Sequence, residues 1–219
     1  MEIYISILTL STSKPILEPP STLRGFINDI FPDEPLLHQH ESNGLIYIYP
    51  RIQYKVFDGK GIVIGIEEGT DLIQTISKKL MNLKLYNSYY TVTGKKIKKE
   101  YMNFGSTTRY NHYNFTSPWL ALNETNYEKY QKLGSQIKRK KLLQRILVGN
   151  ILSMSKSLGY TVTDVIKVNI IKIKEITTSI KGNPMLGFLG EFEVNFEIPD
   201  YLGIGKSVSR GFGTVKKIR

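Results

Sequence analysis

His38-Gln39-His40 places two of the chain's three histidines one residue apart. Two imidazoles at that spacing suit metal ligation or proton transfer. A metal would be poorly supplied, because the chain has no cysteine and Glu41 or Asp33 is the most that the pair could add to itself. Proton transfer needs no further ligand. An imidazole titrates near about 6.5, so at neutral pH it can take a proton or give one. RNA cleavage asks for both acts: the ribose 2′-OH must lose its proton to attack phosphorus, and the leaving 5′-oxygen must gain one. That chemistry calls for no metal and no cofactor. The competing reading is a pair of surface histidines on a loop. The third, His112, lies between Tyr110 and Tyr113 and reads as a packing or surface residue.

A second stretch could bind what such a pair would cut. Gly203-Ile204-Gly205-Lys206-Ser207-Val208-Ser209-Arg210-Gly211-Phe212-Gly213 brackets a basic segment with glycines, and no acid follows Asp200. Glycines permit positive φ and let backbone N–H groups approach an anion closely. Phosphate is the natural ligand. Nucleotide-binding loops follow an early strand and open a helix; here the glycines precede a terminal strand, which excludes that reading.

Composition favours a polyanion. Among 219 residues, 30 Lys and Arg against 19 Asp and Glu give a net charge of +11. Nucleic acid is the expected partner, ahead of a membrane surface. Lys138-Arg139-Lys140-Lys141 with Arg145 could lie along phosphates, and Lys95, Lys96, Lys98 and Lys99 interleave with Tyr101, Phe104 and Arg109 as single-strand RNA binders do. No run approaches the roughly 18 apolar residues of a membrane span, and the N-terminus reads as a strand. A soluble, cytoplasmic protein without disulfides is expected.

Two related halves must position these groups. Ile3, Ile5 and Ile7 alternate with Tyr4, Ser6 and Leu8 as in a strand. Pro19-Pro20 then introduces a helix with Leu23, Phe26, Ile27 and Ile30. Short strands follow over 45–49, 52–57 and 62–66, then a helix capped by Thr70 and strands over 84–92 and 95–104. This is a ferredoxin-like order.

The second half starts within Gly105–Asn123. Thr125 with Glu128 suggests a capping box, and a longer helix spans Gln136 to about Leu158. A hairpin about Lys181-Gly182-Asn183-Pro184 joins 167–180 to 186–198, where Phe192, Val194, Phe196 and Ile198 alternate inward and a parity shift at Ile170/Ile171 suggests a bulge. The chain between Ile198 and Gly203 leaves almost no room for a second helix. The expected fold is α+β, tandem ferredoxin-like (RRM-like) units, the second abbreviated, with a C-terminal glycine-rich loop. Domains 1–108 and 109–219 would carry the histidine loop and the glycine loop respectively.

The glycine loop, Leu37-His38-Gln39-His40 with Leu45 to Lys55, Ser117-Pro118-Trp119-Leu120-Ala121-Leu122 and Gly149-Asn150-Ile151-Leu152-Ser153-Met154 span nearly the whole chain. Together they resemble the repeat-associated RNA-binding (RAMP) proteins of CRISPR systems, in particular the endoribonuclease that processes precursor CRISPR RNA. That resemblance implies metal-independent cleavage within each repeat, leaving a 2′,3′-cyclic phosphate and a 5′-hydroxyl. By position, His40 would be the main acid/base, His38 its partner, and Tyr47 would orient the 2′-OH or the scissile phosphate. Tyr47 also shares a strand face with Leu45 and Tyr49, as a structural aromatic would. Which histidine is base and which acid stays open.

RNA binding would fall to Gly203, Gly205, Lys206, Arg210, Gly211, Phe212 and Gly213, with Lys138, Arg139, Lys141 and Arg145. Family members often add a lysine that stabilises the phosphorane; no lysine here stands in an obvious equivalent place, which leaves Arg24, Arg51 or Lys55 as a substitute, or no residue in that role. The partners implied are CRISPR repeat RNA and an interference complex that receives the retained product; a homodimer is a further possible assembly. The alternative is a non-catalytic RNA-binding subunit of a CRISPR effector.

Overall fold

The computed structural model describes residues 1–38, 48–180 and 182–218. Its contacts divide the chain into two compact units. One comprises Glu2–Met102 with Ser209–Gly211; the other comprises Met1, Asn103–Val208 and the chain from Phe212 onward. The division falls at 102/103, a little before the 108/109 boundary read from the sequence.

The N-terminal unit runs β1 (Glu2–Thr12), α1 (Pro20–Ile30), α2 (Pro35–His38), β2 (Ile52–Phe57), β3 (Lys60–Ile66), α3 (Thr70–Lys79), β4 (Asn82–Leu85) and β5 (Ser88–Asn103). Its sheet has the order β2-β3-β1-β5-β4, with β1 and β2 both antiparallel to β3. That is the ferredoxin-like order with one short strand added at the edge. Leu23 and Ile27, four residues apart, fall on one face of α1, and Ile73 and Ile76 on one face of α3. All four are fully buried with Leu8, Leu10, Ile52, Tyr54 and Val63. Each such side chain contributes about 1.5–3 kcal/mol through removal from water.

The C-terminal unit runs β6 (Gly105–Phe115), α4 (Glu124–Lys132), α5 (Gln136–Ser157), β7 (Val168–Ile180), β8 (Asn183–Glu197) and β9 (Val215–Lys217), in the sheet order β7-β8-β6-β9. This repeats the first order without the second helix. From Ile198 to Thr214 only a single 3-10 turn, Val208–Arg210, is helical. An aromatic core fills the unit: Trp119 stacks on Phe115 at 5.3 Å and 2° and meets Phe188 at 6.0 Å. The tandem ferredoxin-like expectation, with its second copy shortened, describes this architecture.

Several local expectations are corrected. The strands read over 84–92 and 95–104 are instead a short β4 and one continuous β5: the turn falls at Tyr86, with φ 51, while Gly94 stays inside the strand. Helix α4 is capped by Asn123, whose side chain accepts from the Asn126 N–H, rather than by a box at Thr125. Helix α3 includes Thr70 as its first residue and has no side-chain cap. Of the strand expected over 45–49, Ile48 and Tyr49 are not in a strand and the remainder lies outside the described residues. The bulge is present where parity shifted, between Ile170 and Lys172 in the pairing of β7 with β8.

Candidate active site and nucleic-acid interface

Of the three residues assigned to chemistry, His40 and Tyr47 lie outside the described residues. His38 closes the four-residue helix α2, half-buried, with Nε2 2.9 Å from the Phe31 carbonyl oxygen. A carbonyl only accepts, so Nε2 carries the hydrogen. In the neutral ring that leaves Nδ1 as the basic nitrogen.

So short a helix cannot hold itself. Side chains from α1 hold it instead. Arg24 donates to the Leu37 carbonyl at 3.4 Å and Asn28 donates to the same oxygen at 3.2 Å, while the Tyr54 hydroxyl donates to Asn28 Oδ1 at 3.4 Å. Burial raises the Tyr54 pKa, with the Arg24 charge opposing. Sequence reasoning did not single out Asn28 or Tyr54. The available signal was Arg24 and Asn28 at one helical turn, bordering the Leu23–Ile27 stripe.

The alternative cations occupy different settings. Arg51 pairs with Glu68 through Nε. Lys55 is 3% exposed on β2, and burial pushes its pKa down to about 7. Arg24 is disfavoured as a cation first by burial and then by the Arg210 guanidinium, which belongs to the same unit.

In the glycine loop the glycines are required by the protein's own packing. A Cβ on Gly205 would stand 2.7 Å from Trp119 Nε1, and one on Gly203 2.6 Å from Val208 Cβ. A Cβ on Gly213, where φ is +62, would overlap the Ile204 carbonyl oxygen. The loop's amides also serve the fold: Gly213 N–H donates to Pro118 at 2.8 Å, Ile204 N–H to Gly213 at 2.8 Å and Lys206 N–H to Leu120 at 3.4 Å. Lys206 turns its ammonium to the Leu122 carbonyl at 3.1 Å, and burial lowers its pKa. Phe212 and Arg210 are half-buried. The tip thus presents Arg210, whereas the loop body is a structural lock.

On α5, Lys138, Lys141 and Arg145 are exposed on the side away from buried Leu143, Leu147 and Ile151. Arg139 faces elsewhere: Nε donates to the Leu133 carbonyl at 2.9 Å, and the guanidinium lies 4.8 Å from the Tyr130 ring centroid and 3.5 Å from Glu175. On β5, Lys95 donates to the Ser77 carbonyl at 2.7 Å and Lys98 pairs with Glu100 at 2.7 Å. His112 lies 3.2 Å from Glu191. No described helix is long and apolar enough to cross a membrane.

Comparison with known proteins covers the chain from end to end. The Cas6b N-terminal domain family matches residues 1–103 and the Cas6b C-terminal domain family residues 105–218. A solved structure titled "Crystal structure of Cas6b" is 39% identical with TM-score 0.90, covering 100% of both chains. Another, "Crystal structure of CRISPR RNA processing endoribonuclease Cas6b", is 38% identical with TM-score 0.77, covering 98% of this chain and 100% of that one. An uncharacterized protein of Methanocaldococcus jannaschii is 46% identical over 139 residues, 64% of this chain and 94% of its own length. Solved structures at 18% identity, one titled as a RAMP protein binding different RNA substrates, share the fold, with TM-score 0.56 for that one. With both halves matched in order, the chain belongs to the Cas6b family.

Proposed function

We propose that this protein is an endoribonuclease that cuts precursor CRISPR RNA within its repeats without a metal ion and retains the product for transfer to an interference complex. The observation that carries the proposal is the end-to-end likeness to a solved structure titled a CRISPR RNA processing endoribonuclease, at 38% identity. The chemistry follows from imidazole. One histidine of the His38/His40 pair removes the proton from the ribose 2′-OH, whose oxygen attacks the adjacent phosphorus. The P–O5′ bond breaks, and an imidazolium gives the departing O5′ its proton. The products are a 2′,3′-cyclic phosphate and a 5′-hydroxyl.

His40 is the main acid/base in this scheme, and Tyr47 orients the 2′-OH or the phosphate. His38 assists through Nδ1, since Nε2 is committed to the Phe31 carbonyl. Arg210 at the loop tip and the exposed Lys138, Lys141 and Arg145 bind the RNA backbone, whose affinity should fall steeply with salt. The loop glycines support Arg210 and Phe212 by close packing. Lys206 and Arg139 act chiefly within the fold, through the carbonyls of Leu122 and Leu133.

His40→Ala, assayed on a repeat RNA in EDTA, should slow cutting by about 10²–10⁴-fold or more while binding stays nearly intact. Unchanged cutting would remove His40 from the mechanism. Tight binding with no cutting by the unaltered protein would instead favour a non-catalytic RNA-binding subunit.

A further inference from the structure

The second turn of the first helix and the tip of the glycine loop bring two cations together with no carboxylate paired to either among the described residues. Gly211, φ +92, packs so closely that a Cβ there would stand 2.6 Å from Pro20 Cγ and 3.1 Å from the Tyr54 carbonyl oxygen. Pro20 opens α1, and Arg24 lies one turn further along the same face. The residue before Gly211 is Arg210, so this packing sets its backbone beside the start of α1, and its charge acts on Arg24. Neither arginine has an ion pair among the described residues.

Arg24 is held on one side only. A terminal nitrogen donates to the Leu37 carbonyl at 3.4 Å, whereas its Nε is buried without a hydrogen-bond partner among the described residues. A buried N–H left unpaired is costly, and so is a second guanidinium beside it. Burial and the Arg210 charge accordingly both disfavour the Arg24 cation. A bound anion relieves the second penalty. Phosphate oxygens can accept from both guanidiniums at once, which suits the planar donor fork.

We infer that Arg24 of α1 and Arg210 of the loop tip form a single binding site for one backbone phosphate, beside the turn that carries His38. This rests on the RNA-cleaving reading above, which it sharpens by naming the groups that fix the backbone next to the imidazole. Gly211 is then glycine so that the tip can sit on Pro20, and Asn28 with Tyr54 steadies the Leu37 carbonyl that aims Arg24.

The test uses the whole protein, inorganic phosphate and Arg24→Gln and Arg210→Gln variants. At matched ionic strength in sodium chloride, phosphate should raise the Tm of the unaltered protein by about 2–4 °C. Each variant should lose that gain, and the double variant should lose no more than either alone. Without phosphate at low salt, Arg210→Gln should melt at or above the unaltered protein, because a repulsion has gone. Each variant should also weaken repeat-RNA binding by about tenfold, with the double again no worse. A phosphate gain undiminished in both variants overturns the site, even if RNA is bound and cut. If phosphate protection needs both arginines but repeat RNA is neither bound nor cut, the anion site stands and the nuclease reading fails.

Discussion

The two units share a strand order and close it differently. In the N-terminal unit both ferredoxin-like helices are present, and α1 and α3 cover the sheet with aliphatic stripes. In the C-terminal unit the second helix is replaced by the Ile198–Thr214 segment, which has no repeating pattern of its own. Without helical hydrogen bonds it must satisfy its amides on other backbone, as Gly213 does on Pro118 and Ile204 on Gly213. Backbone can approach backbone that closely only where side chains are missing. A glycine in a helix costs conformational entropy, whereas a glycine in this loop permits the fold.

The most severe way to test that contrast is Gly213→Val. Its φ of +62 and the Ile204 carbonyl both oppose a branched side chain, so a loss of about 2–4 kcal/mol is expected in chemical denaturation. A loss below about 1 kcal/mol would show that the segment can rearrange and that the lock is not structural.

Desolvated lysines sharpen the same comparison. Half-buried Lys206 in the C-terminal unit donates to the Leu122 carbonyl, and Lys55 in the N-terminal unit, almost fully buried, is pushed by burial from 10.5 to about 7. Between those values the unfolded chain binds more protons at this position than the folded one, so stability should rise with pH through that window. The slope is at most about 1.4 kcal/mol per pH unit. Lys55→Met should flatten the rise in Tm between pH 7 and 10, leaving the smaller part due to Lys206. Parallel pH profiles would mean that Lys55 keeps its charge when folded.

Gly25 supplies the mildest test. It is exposed in the middle of α1, and a Cβ there meets nothing within 4 Å. Gly25→Ala should stabilise the protein by about 0.5–1 kcal/mol. Destabilisation would mean that the helix needs this glycine for something other than its own propensity.

Much of this architecture was legible in the residues. Phe192, Val194, Phe196 and Ile198 alternate inward and are all buried, and the doubled Ile170-Ile171 marked a real bulge. The shortage of chain after Ile198 foretold the missing helix. Local rules failed where two signals competed a few residues apart. Asn123 precedes Thr125 and takes the cap, and Tyr86 turns the chain where Gly94 offered an easier turn.

The cations expected to meet RNA were legible as cations, but their positioning was not. Composition counts cations without saying where they point, and Lys206 and Arg139 are committed to carbonyls that lie far from them in sequence or out of any pattern. Glycines likewise announce close approach but not to what. Here Gly205 meets Trp119 and Gly211 meets Pro20, partners separated from them by most of a domain or more.

The central claim is that histidine chemistry on a ribose 2′-OH cuts the repeat. Incubating several repeat RNAs with the protein in EDTA and identifying the product ends tests it most directly. The account predicts cleavage at one position in a cognate repeat, with a 2′,3′-cyclic phosphate on one fragment and a 5′-hydroxyl on the other. Fragments ending in 3′-hydroxyl and 5′-phosphate, or cutting that appears only after a divalent ion is added, would contradict it.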